Sequence, residues 1–253
     1  MQKIKVQYNG IWYDLYGLPN DSRTSLVSSR KGTQEGKVRT WQNIVSQTNA
    51  ERIFDIGCNY GEFLITIAPT KSEIFAFEPN TEVFNCVERT VKEIPFNTEH
   101  IKLKNIAISD TDETLYLNIP DSSGNASLDV NCVKHKHTIK IQPVIVHNIM
   151  NYIKDCKNFV MKLDIEGLEY KVLNKIHQND NFDWYCIMFE FNRFGGEGND
   201  LIENFMYDKQ VMGISHDSIN LYNNNFFTYK KGDWDKMQGA SDIIVCKNIN
   251  WEK

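Results

Sequence analysis

The chain has 253 residues, 41% hydrophobic and 24% charged, an ordinary composition for a globular protein long enough to bury a sizeable core. Its formal net charge of −5 argues against a dedicated nucleic-acid binder, which carries a basic surplus. No run approaches the roughly 18 uncharged apolar residues of a membrane span, and Met1-Gln2-Lys3-Ile4-Lys5 lacks the apolar stretch of a secretory signal.

The six cysteines (Cys58, Cys86, Cys132, Cys156, Cys186 and Cys246) are scattered, without a C-x-x-C pair or zinc spacing. Free thiols and a cytoplasmic location are therefore expected. The abundance of Lys, Asn, Ile, Phe and Tyr fits an AT-rich, bacterial coding sequence.

Residues 3–16 alternate like a β-hairpin turning at Asn9-Gly10. Residues 17–36, rich in Ser, Gly, Arg and Lys, read as a loop over a site. Val38, Trp41, Ile44 and Val45 then mark an amphipathic helix over 37–49. Next comes a short buried strand, Ile53 to Ile56, followed by a turn carrying Gly57 and Gly61 and a helix starting near Gly61. Such a corner of an open α/β sheet binds a nucleotide-containing ligand. A dinucleotide turn of the G-x-G-x-x-G kind receives a pyrophosphate. Here Asn59 stands in place of the second glycine, and Asp55 puts a carboxylate where a pyrophosphate would be repelled. S-adenosylmethionine, with its sulfonium and ammonium, suits an acid there, so the turn reads as a methyl-donor site.

Glu73 to Phe77 forms a second strand ending at Glu78, an acid placed to accept ribose hydroxyls. Pro79 ends the strand, and Asn80 or Thr81 caps a helix running to about residue 92. Ile101 to Ser109 reads as one third strand, with Asn105 to Ala107 near an adenine. Alternating runs at 114–119 and 138–146 predict a β-rich insertion before the fourth strand. Its polar loop offers Asn125 and Ser127 as acceptor contacts, with plain turn chemistry the equal alternative. The basic cluster Lys134, His135, Lys136 and His137 reads as a solvated rim.

The second informative stretch runs from Phe159 to Tyr170: a buried strand, a turn with Asp164 and Glu166, and a helix burying Val172, Leu173 and Ile176. A fifth strand, Tyr185 to Phe191, carries Glu190 in an otherwise apolar run, where an acid is costly unless paired, protonated or at a site. A salt bridge to Arg193 or Lys162 is the structural alternative. Phe194 to Gly198 reads as a polar turn, either a mobile lid or a plain loop, followed by a helix near 200–208, a short strand at 226–229 and a final strand at 240–246.

Three stretches now stand in order: Asp55-x-Gly57-x-Asn59-x-Gly61, Phe77-Glu78-Pro79-Asn80, and Lys162-x-Asp164-x-Glu166-Gly167-x-Glu169. Together they resemble the FkbM-type family of S-adenosylmethionine-dependent O-methyltransferases over roughly residues 50–190. The resemblance implies an α/β, Rossmann-like fold with a mostly parallel seven-stranded sheet and helices on both faces. It implies one methyltransferase domain over 1–253, with 1–49 as an N-terminal cap and 50–253 as the core. Asp55, Gly57, Asn59 and Gly61 would shape the methionine end of the cofactor site. Glu78 and Pro79 would hold the ribose, and Asn105 and Ala107 would flank the adenine. Cys58 and Leu64 depart mildly from the family pattern without removing a ligand group.

Methyl transfer to a hydroxyl, expected on a sugar or nucleotide sugar, needs the acceptor aligned and its weakly acidic proton removed. Asp164, Glu166 and Glu190 are the expected catalytic residues. In one scheme Asp164, Glu190 and Asn192 hold Mg²⁺ through hard oxygen ligands, and the ion acidifies the hydroxyl. In the other, Asp164 or His216 acts as base without metal, with a solvated loop histidine as the simpler reading of His216. Phe191, Phe194 and Trp234 offer aromatic faces to a sugar, with core packing as the cheaper explanation. The rivals are an NAD(P)-dependent sugar oxidoreductase, a nucleic-acid methyltransferase, and a non-catalytic module that only binds S-adenosylmethionine. The acceptor's identity and assembly into a homodimer stay open.

Overall fold

The computed structural model describes residues 1–133, 139–191, 196–214, 226–237 and 239–249. The basic cluster at 134–137, Asn192, Arg193, Phe194 and His216 lie outside the described residues. A hairpin of β1 (Gln2–Tyr8) and β2 (Ile11–Gly17) comes first, with Asn9 and Gly10 at positive φ in its turn. Helices α1 (Ser22–Arg30) and α2 (Glu35–Gln47) complete the cap. The core then runs β3 (Arg52–Ile56), α3 (Glu62–Ile67), β4 (Glu73–Phe77), α4 (Thr81–Glu93) and β5 (Ile101–Lys104). An insertion follows, of β6 (Ala107–Ser109), β7 (Glu113–Ile119) and β8 (Lys140–Asn148). After it come α5 (Met150–Ile153), β9 (Asn158–Leu163), α6 (Glu169–Gln178), β10 (Trp184–Glu190) and α7 (Gly196–Met206). The last elements are β11 (Gln210–Ile214), β12 (Phe227–Thr228) and β13 (Asp242–Lys247).

The main sheet has the order β12-β11-β13-β10-β9-β3-β4-β5. It holds eight strands rather than the expected seven, because the two-residue β12 adds to the outer edge of β11. β13 runs antiparallel between β10 and β11. Strand order reverses between β3 and β9, so the crevice for a ligand opens at their carboxyl ends.

Because successive strand side chains point to opposite faces, each inner strand feeds two cores. Ile53, Cys186 and Met188 join Val38, Trp41, Leu64 and Val87 on the α2–α3–α4 side. Phe54, Ile56, Ile187 and Phe189 join Ile153, Val172, Leu173 and Phe205 on the α5–α6–α7 side. Burying each Val, Leu, Ile, Phe or Met among these contributes about 1.5–3 kcal/mol. No helix among the described residues is long and apolar enough to cross a membrane.

Two expectations change. The single third strand divides: β5 stays in the main sheet, whereas Ala107 begins β6, which pairs with β8 in a separate three-stranded sheet. The expected loop at 17–36 contains α1, capped by Asp21, whose side chain accepts from the Thr24 amide. Only Thr24 and Val27 of that helix are buried, too few to show a helical period.

Candidate active site

Two turns at the carboxyl ends of neighbouring strands build the site. The first leads from β3 to α3 through Gly57, Asn59 and Gly61, all at positive φ. Glycine takes that conformation freely and asparagine tolerates it, which explains Asn59 where a glycine is usual. A Cβ on Gly57 would lie 1.8 Å from the carbonyl oxygen of Asp164, and one on Gly61 would lie 2.8 Å from Val87. The turn is pinned from the next strand: the Glu78 carboxylate accepts from the Asn59 amide at 3.0 Å and the Asn80 amide at 2.8 Å. Burial pushes the Glu78 carboxyl up to about 7 against the pull of those amides.

The second turn leads from β9 to α6, with Glu166 and Gly167 at positive φ. Glu169, fully buried, accepts from the amides of Ile165 (2.9 Å) and Gly167 (3.0 Å). Burial pushes its carboxyl up to about 8, with the backbone amides opposing. The insertion braces the same turn: Ser127 donates to the Glu166 carbonyl at 2.8 Å, and Cys132 fills the space where a Cβ on Gly167 would stand. So fixed, Asp164 and Glu166 meet Glu190 from the end of β10, and one carboxylate oxygen from each lies within 4.8 Å of the others.

Lys162 lies buried beneath, 3.3 Å from Asp164 and 3.6 Å from Asp55. Burial alone would raise the Asp164 carboxyl, but Lys162, with Lys37 and Arg23, outweighs it and holds the group below its usual range. Asp164 is thereby kept ionised. Lys37 itself closes on the buried Asp242, the cross-strand neighbour of Glu190.

A cleft of about 520 Å³ runs between the two turns. Gly57, Asn59, Glu78 and Pro79 form one wall, and Phe77, Ile106, Ala107, Ile108 and Leu117 an apolar patch beside it. Asp164, Glu166 and Glu190 also line it. Its roof comes from the cap (Ser22, Arg23, Leu26, Gln34, Lys37) and from the insertion (Ser122 to Ala126). Two buried acids fasten that roof. Asp21 accepts from the Ser123 amide (2.9 Å), the Ser123 hydroxyl (3.0 Å) and the Tyr60 hydroxyl (2.9 Å). Glu62 accepts from Tyr8, the amide and hydroxyl of Thr33, and Arg23.

Three expected cofactor residues stand off the wall. Asp55 is wholly buried behind the turn, where it faces Lys162 and its oxygens find no hydrogen-bond donor. Gly61 packs on α4. Asn105 spends its amide on the carbonyls of Glu78 (2.8 Å) and Pro79 (3.1 Å), bracing that bend from outside. Ser127 braces the Glu166 turn, whereas Asn125 does line the cleft. Phe191 and Trp234 stack on each other in a second cavity. Arg23 and the Asp21 hub give no sequence signal beyond the general reading of 17–36 as a covering segment, and Lys37 none beyond its place in the amphipathic helix read over 37–49.

The donor sets fit the two expected groups. A buried carboxylate beside an apolar patch suits a ribose and a base, and three convergent carboxylates suit a hard cation such as Mg²⁺. Residues 55–214 match the family model described as the methyltransferase FkbM domain. No curated protein matches the chain. Among solved structures it is similar to a methyltransferase FkbM from Methylobacillus flagellatus KT: 14% identity, TM-score 0.46, covering 78% of this chain and 43% of that one. It is also similar to a tRNA (uracil-54, C5)-methyltransferase from Pyrococcus abyssi in complex with S-adenosyl-L-homocysteine: 11% identity, TM-score 0.48, covering 97% and 44%. A third is a SAM-dependent methyltransferase from Agrobacterium tumefaciens, at 6% identity and TM-score 0.46, covering 97% and 70%. The chain thus spans less than half the length of the first two.

Proposed function

The chain belongs to the FkbM methyltransferase family, and from that premise we propose that it moves a methyl group from S-adenosylmethionine to a hydroxyl of a sugar, carried as a nucleotide sugar or surface-polysaccharide precursor. One observation carries the reading: three carboxylates converge within 4.8 Å in the lining of a cleft that also holds the Glu78 carboxylate, the first turn and an apolar patch.

When bound, the cofactor supplies an electrophilic methyl group on its sulfonium. Glu78 offers its remaining lone pairs to the ribose hydroxyls, while Ile106, Ala107 and Ile108 cover the base. An alcohol holds its proton too tightly to attack unaided, so a carboxylate must take it or a cation must weaken it. Asp164, held ionised by Lys162, serves as an electrostatic partner or cation ligand. Glu166 and Glu190 stand beside it to receive the proton. Mg²⁺, if part of the reaction, would be held by Asp164 and Glu190, with Glu166 completing the set that the structure brings together. Cap and insertion keep water from the reacting atoms, so cap and core act as one domain in this reading. A cytoplasmic setting, where such precursors are made, goes with it.

Calorimetric titration with S-adenosylhomocysteine, NAD⁺ and NADP⁺ tests the donor. Binding of S-adenosylhomocysteine alone is expected, and binding of a nicotinamide cofactor instead would overturn the reading. Transfer of labelled methyl to a panel of nucleotide sugars, with Mg²⁺ and with EDTA, then tests the acceptor and the metal. No transfer to any sugar would leave a module that only binds the donor.

A further inference from the structure

We propose that Arg23, carried by the cap and outside the stretch matched by the family model, holds the carboxylate of the methyl donor's amino-acid end. The inference rests on the methyl-donor reading of this cleft. An amino-acid end carries a carboxylate, so its site must present a cation. The first turn offers none at the surface, since Lys162 pairs with Asp55 behind it and stands off the wall.

Among the described residues, two cations line the cleft, Arg23 and Lys37. Lys37 is closed on Asp242, with both side chains buried. Arg23 is less committed. Its Nη2 donates to Glu62 at 2.7 Å, and its buried Nε has no acceptor. Glu62 is the first residue of α3, directly after Gly61, and also accepts from Tyr8 and Thr33. It therefore fixes the guanidinium beside the first turn without using up its donors. On the other side the stem lies against the insertion, where a Cβ on Gly124 would come within 3.4 Å of Arg23 Cδ. A planar guanidinium held in this way, with donors to spare, matches a carboxylate as a two-pronged partner. An anionic group on the acceptor has the same chemistry and is the alternative source.

The test uses two ligands that differ only in that carboxylate: S-adenosylhomocysteine and its decarboxylated analogue, 5′-deoxy-5′-(3-aminopropylthio)adenosine. Each is titrated into the full chain, into Arg23→Gln and into Arg23→Lys, after thermal melts of all three. Arg23→Gln should weaken S-adenosylhomocysteine about 10- to 100-fold, the worth of a hydrogen bond to a charged group, and leave the analogue unchanged. Arg23→Lys keeps the charge but not the fork, so it should lose less, on the same ligand alone. Equal losses for both ligands would make Arg23 a prop for the cap and overturn the proposal. Undiminished S-adenosylhomocysteine binding would overturn it in favour of the acceptor's anion. If Arg23→Gln does not fold, the Arg23→Lys titrations decide by the same comparison. A wild-type chain that binds neither ligand would sink the methyl-donor reading itself, a result distinct from any variant's behaviour.

Discussion

The turn after β3 and the turn after β9 touch, the backbone of Gly57 lying against the carbonyl of Asp164. Both bend through left-handed residues, and each is pinned by a buried carboxylate that accepts two backbone amides. In the first turn the pinning acid, Glu78, comes from the next strand and also faces the cleft. In the second it is Glu169 of the following helix, fully buried, and the turn's own acids are left to project. The first turn thus presents backbone shape and the second presents charge. On the proposed function, one binds the donor and the other handles the acceptor's proton.

The widest break between them should come from Asp164→Asn. Turnover should fall about 10²- to 10³-fold, the range for removing one preorganised electrostatic partner of the reacting atoms, while S-adenosylhomocysteine affinity stays put. Parallel loss of binding would erase the division of labour. Gly57→Ala strikes the contact itself: a Cβ 1.8 Å from the Asp164 oxygen, at φ +76, should cost at least about 3 kcal/mol in a denaturant melt and lower binding and turnover together. A wild-type midpoint would mean that the turns do not abut.

Glu169→Gln should cost about 1–3 kcal/mol, because an amide NH₂ then faces a buried N–H donor. Its kinetic mark should be lower turnover with cofactor binding kept, and the reverse pattern would count against Glu169 as the second turn's own brace.

The smallest effect concerns pH. Glu78 in the folded chain is pushed up to about 7 from 4.5, first by burial. Its contribution to stability is therefore present below 4.5 and lost as pH rises through 7. Donor binding runs the other way, since ribose hydroxyls need the ionised acceptor: affinity should rise with pH through 7. Calorimetry at several pH values should show the slope, and Glu78→Gln should flatten it.

Much of the first turn is legible in the sequence, because left-handed backbone restricts which residues can stand at 57, 59 and 61. Asp164 and Glu190 are legible because an acid closing an apolar run needs a reason to be there. The direction a side chain takes is not legible. Asn105 reads as an adenine neighbour, yet its amide turns back onto backbone carbonyls. Glu169 enters the sequence only as a position of the family motif, and its hold on the amides of Ile165 and Gly167 shows only in the fold. The roof is hidden more deeply. Asp21 reaches Ser123 across 102 positions and Glu62 reaches Tyr8 across 54, and no local pattern announces either meeting.

Asp21 has a consequence for how this chain can be altered. Its carboxylate closes the cap, the first turn and the insertion on one another through Tyr60 and Ser123. Both the cap and the insertion line the cleft, so on the proposed function they are the segments to exchange for a different acceptor. Replacing either the cap or the insertion alone strands buried polar groups on the segment that remains, at about 1–3 kcal/mol each. Grafts should therefore succeed in matched pairs and fail singly.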